Sequence, residues 1–288
     1  MNKILREWLI PPGLYEFASR LRRGDAPQLP DVSSGSMMKF KDAHKGERCF
    51  LLATGPSIKT QDLTPLANEV CFGLSFFHLH EAYSKIRPKY HLLAPNHPPF
   101  DFDLIKRYAD TLNNCCTHQL NLFWGVSAYQ YSAQNYLNEN TMNSNVDMHY
   151  VDYSRSVSIG EDNYLDDSRW DYRPSPFSMR SVVYGAVQLA AYMGFTEIYL
   201  IGCDHNYLQE LGQNAVHFYE EKKGNDKDAQ HLEAFSTEKW FFEYYSRWRD
   251  YRLMATYLEQ RGTQIYNATN GGMLDVFPRK SLNEIFES

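Results

Sequence analysis

Apolar positions along the 288 residues follow two rhythms. Short runs of strand-forming side chains recur at RCFLLATGPSI (48–58), EVCFGLSFF (69–77), KYHLLAPN (89–96), THQLNLFWG (117–125), VDMHYVDY (146–153), EIYLIGC (197–203) and TQIYNATNGG (263–272). Several are continuously apolar rather than alternating, as in strands covered on both faces. Between them the spacing turns helical. FDLIKRYADTLN (102–113) is one helix, and Val182, Val183, Ala186, Val187, Ala190 and Met193 mark a second that Ser178 can cap and Gly194 ends. A long helix is predicted over about 236–261, closed by Gly262, with Phe241, Tyr244, Trp248, Tyr251, Ala255 and Leu258 as its buried stripe. Thr60–Leu66 reads as a short helical or turn segment, and 127–140 as a helix capped by Ser127. Strands alternating with helices and no internal repeat predict an α/β fold with a Rossmann-like, mostly parallel sheet.

Two polar stretches interrupt the pattern, 154–177 and 205–234. Loops of that length inside a compact domain are functional or disordered, and the second reads as a lid-like insertion. Residues 24–47 read as a linker, which makes 48–288 the domain proper and 1–47 an N-terminal appendage. Within it, residues 1–23 form two short amphipathic pieces split by Pro11 and Pro12, with Lys3, Arg6, Arg20, Arg22 and Arg23 among apolar residues. Peripheral contact with an anionic membrane and a helix packed on its own domain both fit this segment.

A net charge of −6 opposes a sequence-independent grip on nucleic acid. The five cysteines show no CxxC spacing, and no apolar run is long enough for a leader or a membrane span. The expected location is cytoplasmic and reducing, at most at the inner face of the plasma membrane. Homo-oligomerisation stays open.

The chemistry gathers where strands end. The first run ends in Thr54-Gly55-Pro56-Ser57, the second in Gly73-Leu74-Ser75 and the third in Ala94-Pro95-Asn96-His97. The sixth ends in Gly202-Cys203-Asp204-His205-Asn206-Tyr207 and the seventh in Asn267-Ala268-Thr269-Asn270. A core needs no carboxylate, imidazole, amide and phenol in succession. In a parallel sheet these ends share one edge, where ligands of open α/β folds bind. Taken singly, Gly55–Ser57 is an ordinary turn lacking both GxGxxG and the P-loop pattern, and Asn96 or Asp204 can serve as turn residues. Asp204, His205 and His217 lack the company of a metal motif, so no metal or other cofactor is expected. Cys203 reads as a buried, inert thiol.

CFLLATGPSI followed by DLTPL, and SVVYGAVQLAAYMGFTEIYLIGCDHNY, resemble the bacterial sialyltransferases of glycosyltransferase family 42. They are also similar to the Rossmann-like group holding motility accessory factors and 6-hydroxymethylpterin diphosphokinase-like proteins. The resemblance covers about Arg48 to Phe277 and is most specific at 181–204. It implies a glycosyltransferase-A type domain with a lid over the donor, and metal-independent, inverting transfer from a CMP-activated acidic sugar such as sialic acid or Kdo. The acceptor would be a glycan or lipid-linked glycan in surface polysaccharide or lipopolysaccharide synthesis. Residue by residue, the family turn maps to Gly55, Pro56 and Ser57, with Thr54 in place of an Asn. The Asn-Pro-x-x-Phe region maps to Asn96 and Phe100, the helix-start hydroxyl to Ser181 or Ser178, and Gly-x-Asp to Gly202 and Asp204. The chain departs twice: the family Asn after strand two falls on Leu74 or Ser75, and its catalytic His falls near Tyr245.

Such a transfer needs the nucleotide held, the departing phosphate stabilised and the acceptor hydroxyl deprotonated. Backbone amides around Gly55 and Ser57, with Ser75, Asn96, Ser181, Gly202 and Asp204, are the expected nucleotide contacts. Tyr207, Tyr219 and Arg180 are the expected donors to phosphate. His217 is the first choice of base and His205 the second, since imidazole titrates near ~6.5. Two rivals stand beside this reading: a Mg²⁺-dependent diphosphokinase using Asp204 and Asp62, and a non-catalytic partner in a polysaccharide assembly complex.

Overall fold

The computed structural model describes residues 37–96, 102–127, 132–137, 141–173, 176–206 and 236–287. Seven strands form one sheet: β1 Arg48–Leu52, β2 Cys71–Leu74, β3 Tyr90–Leu93, β4 Leu120–Val126, β5 Val146–Asp152, β6 Glu197–Ile201 and β7 Gln264–Asn267. All pairs are parallel, in the order β5-β4-β3-β2-β1-β6-β7. The chain winds outward from β1 to one edge, then crosses back to lay β6 and β7 on the other side. The fold is therefore a doubly wound, Rossmann-like α/β domain with its crossover between β1 and β6.

Alternation along each strand divides the core in two. In β1, Cys49 and Leu51 point into one layer and Phe50 and Leu52 into the other. Short α1 Tyr83–Ile86 and α2 Phe102–Cys115 supply the second layer, with the 3-10 turns Pro56–Thr60, Thr64–Asn68 and Ser75–Leu79. After α3 Asp167–Trp170 come α4 Val182–Tyr192 and α5 Thr237–Glu259, which fill the first; α6 Leu282–Phe286 returns to the second. Among the described residues no helix is long and apolar enough to cross a membrane.

Four local expectations need correction. Ser181, not Ser178, caps α4, its side chain accepting from the Val183 amide; the Ser178 amide donates instead to the Val157 carbonyl. The second strand is shorter than 69–77 because Ser75 takes a left-handed conformation that stops it. Residues 132–137 hold only the 3-10 turn Ala133–Asn135 rather than part of a helix, and Ser127 is buried at the end of β4 with its hydroxyl donating to the Asn96 carbonyl. Residues 37–47 are not linker: Met37, Phe40 and His44 are buried against the sheet, with Phe40 edge-on to Phe123 at 4.9 Å and His44 stacked on Phe195 at 4.5 Å. The polar stretch 154–177 is likewise pinned down, by Ile159, Trp170, Tyr172 and Phe177.

Candidate functional site

The carboxyl ends of all seven strands lie along one edge, so the strand-end residues named from sequence are neighbours. At the crossover, the Gly55 amide donates to the Gly202 carbonyl (2.9 Å). The Ser57 amide donates to Asp204 Oδ1 (3.1 Å) and the Ser57 hydroxyl to Oδ2 (2.8 Å). The turn after β1 and the turn after β6 are thus stitched together by one carboxylate, 147 residues away in sequence. Two glycines make room for it. A Cβ at Gly55 would collide with the Asp204 carboxylate, and one at Gly272 would sit 2.8 Å from Asp204 Cα, where the φ of +78° already favours glycine. From the far side the Met273 amide donates to the Asp204 carbonyl (2.8 Å). Asp204 is only 4% exposed; burial pushes its carboxyl above the ordinary range, and the Ser57 donors oppose that.

This geometry corrects one expectation. The amides around Gly55 and Ser57 do not form an open anion nest: those of Gly55, Ser57 and Ile58 donate to Gly202, Asp204 and Gly55 respectively. Pro56 has no amide hydrogen, and Thr54 is buried at the start of the turn. The turn is a wall whose amides are already hydrogen-bonded within the protein.

His205 continues the edge with a φ of +52°. Its Nε2 lies 2.9 Å from Tyr251 Oη on α5, and the Ser181 side chain lies near the same hydroxyl. The cap of α4, the middle of α5 and the end of β6 therefore meet at one phenol. Burial, and the cation of Arg247, push protonation of His205 down to about 3, so it is a neutral imidazole across the physiological range. That is too weak a base for a reaction run near neutrality. Arg180 precedes the cap and is taken up by carboxylates, its Nη1 on Glu243 (2.6 Å) and its Nε on the buried Asp250 (3.0 Å), which Arg249 also holds.

Beyond β1 the edge carries Ser75 and Asn96. Ser75 has a φ of +50°, a conformation that costs a non-glycine residue about 1–3 kcal/mol, and its carbonyl is held by His91 Nε2 at 2.7 Å. Asn96 is buried, its Oδ1 accepting from Trp124 Nε1 (3.1 Å). It follows β3, two interstrand spacings or about 10 Å from the β1 turn. Asp62, the second carboxylate of the diphosphokinase rival, is exposed in a separate turn and bonded to the Thr64 amide. Cys203 is buried at the end of β6, and desolvation raises its thiol.

No protein-family model matches the chain, and no curated protein matches it.

Of the residues singled out in sequence, Gly55, Ser57, Gly202 and Asp204 are in direct contact, and Ser181 and His205 meet at Tyr251. Ser75 and Asn96 follow β2 and β3 on the same edge. His217, Tyr207, Tyr219, Phe100 and residues 1–23 lie outside the described residues. Two participants escaped the sequence reading. Tyr251 sits at a helical core position like any stripe aromatic. Arg279 donates to the carbonyls of Thr269, Gly271, Gly272 and Leu274, folding the last strand's loop against Asp204.

Proposed function

We propose that the protein is a CMP-sugar-dependent glycosyltransferase, moving an acidic sugar to a glycan acceptor with inversion. The observation that supports it best is the crossover itself: the turn after β1 and the left-handed turn after β6 are locked to each other at the crevice where doubly wound folds take nucleotides. Two of the four non-glycine residues with positive φ among those described, Ser75 and His205, stand on this edge, and backbone strain of that kind clusters at ligand sites.

In this reading the cytidine nucleotide lies across the ends of β1 to β3. The Gly55–Ser57 wall supports it, and Ser75 and Asn96 offer neutral hydrogen-bonding groups. Asp204 acts by holding the wall rather than by reaching the ribose. His205, neutral and tied to Tyr251, positions the β6 end next to the nucleotide. The acceptor's proton goes to His217. As the acceptor oxygen attacks the anomeric carbon, the bond from that carbon to the CMP phosphate breaks and CMP leaves with the electron pair. Tyr207 and Tyr219 are the hydroxyl donors assigned to the departing phosphate.

Thermal-shift titration tests the reading against its closest rival. CMP alone is expected to raise the midpoint, and ATP with Mg²⁺ to leave it unmoved. The opposite result supports a diphosphokinase and overturns the transferase.

A further inference from the structure

The first sixteen residues of α5, Thr237–Arg252, contain seven aromatic side chains and no aliphatic one. Three of them, Phe241, Tyr245 and Trp248, are spaced i, i+4, i+7 and so share one face of the helix. Phe241 and Tyr245 are each 61% exposed, and Trp248 is partly exposed. The stripe is directional: Trp248, at its inner end, packs against His205 with ring centroids 5.9 Å apart. Its indole is fixed there by donation from Nε1 to Asp275 Oδ1 (2.7 Å). Along the helix the three positions span about 10 Å at ~1.5 Å per residue, the reach of two linked sugar rings.

We propose that Phe241, Tyr245 and Trp248 form a stacking track for the pyranose rings of a glycan acceptor, delivering its end to the His205 edge. This rests on the transferase reading, for which it supplies the place where the acceptor binds. The composition of the face decides among occupants. Large aromatic rings offer flat apolar faces with polar edges, which suits sugar rings whose C–H face is apolar and whose rim carries hydroxyls. A helix that inserts into lipid mixes aliphatic with aromatic side chains, and α5 has no aliphatic residue on this half. Single-stranded nucleic acid also stacks on aromatic rings, but it needs a basic groove, and Lys239, Arg247, Arg249 and Arg252 on this half of α5 are largely offset by Glu238, Glu243 and Asp250. Exposed aromatic side chains at the mouth of a ligand edge are otherwise an aggregation liability.

Calorimetry with neutral cello- and galacto-oligosaccharides of two to six residues tests this on the full chain. A Phe241→Ala/Tyr245→Ala double variant removes only exposed rings and keeps the fold, which circular dichroism checks. The expected result is oligosaccharide affinity that grows with chain length and falls at least tenfold in the double variant. CMP affinity, measured alongside, stays within twofold. Equal oligosaccharide affinity in the two proteins, or none in the wild type, overturns the track. So does loss, in the variant, of binding to phosphatidylethanolamine–phosphatidylglycerol vesicles or to oligo(U) in place of the sugars. Absence of CMP binding with the glycan result intact overturns the transferase reading and leaves the track standing.

Discussion

Removing the Asp204 carboxylate releases both Ser57 donors at once. Hydrogen bonds to a charged acceptor contribute about 1.5–3 kcal/mol, so Asp204→Ala should lower stability by about that much, visible in urea melts. It should weaken CMP binding at least tenfold as the wall loosens; unchanged affinity in calorimetry removes Asp204 from the site. The two histidines part company in kinetics. With His217 as base, kcat/KM rises with pH through an apparent pKa near ~6.5, and His217→Ala cuts turnover far more than donor affinity. His205, protonated only at about 3, contributes no such limb. A rising limb that survives His217→Ala contradicts the assignment. Asp204 stood out in sequence as a carboxylate ending an apolar strand, but its structural duty, holding the turn after β1, did not. Its partner was not legible, since nothing in Gly-Pro-Ser announces a contact 147 residues distant. The closed amides of the turn were illegible for the same reason.

At the scale of elements, α5 shows what periodicity reads and what it misreads. Tyr244, Tyr251 and Leu258 are buried as the stripe requires, whereas Phe241 faces outward. Spacing alone does not say where a helix leaves the sheet it packs on. Tyr251 fits the stripe yet spends its hydroxyl on His205, so its polar duty was hidden by its size. Toward its C-terminus α5 is fastened by Trp170 of α3, stacked on Tyr257 at 4.0 Å, with Arg261 over the other face at 3.6 Å. Trp170→Ala should therefore cost about 3–5 kcal/mol, measured by urea unfolding. A loss below about 1 kcal/mol would show that 154–177 is not anchored there. The capping serines illustrate a subtler limit. Ser178 and Ser181 are equivalent in composition, and only the extended backbone at Ser181, φ −150° and ψ 147°, made the choice.

For the whole molecule, a mostly parallel, Rossmann-like sheet was legible from strand composition and alternation, while its doubly wound strand order and crossover are tertiary facts. Among the described residues six buried histidines with depressed protonation give the domain an acid limit, His80 and His118 together with the four that shift furthest. Burial pushes His78 and His205 down to about 3 and His91 and His149 to about 4. His91 adds to the shift at His78, His118 to that at His91, Lys39 to that at His149 and Arg247 to that at His205. In the unfolded chain each imidazole takes up a proton near pH ~6.5, while the folded protein resists until pH falls to its depressed value. Stability is thus full above pH ~6.5 and lost as pH drops from there toward 3–4. Each site contributes up to about 1.4 kcal/mol per pH unit across that window. Asp204 and Asp250, with carboxyls raised by burial, run the other way at its lower end. Urea midpoints should fall between pH 7.5 and pH 5, and a flat profile contradicts the buried neutral cluster.

The central claim is that the edge beside the β1–β6 crossover holds a cytidine nucleotide. A crystal structure of the complex with CMP tests it most directly. The account predicts CMP lying over Gly55–Ser57 and extending toward Asn96 across the ends of β1 to β3. CMP bound anywhere else on the molecule, or an unoccupied edge at saturating CMP, would contradict it.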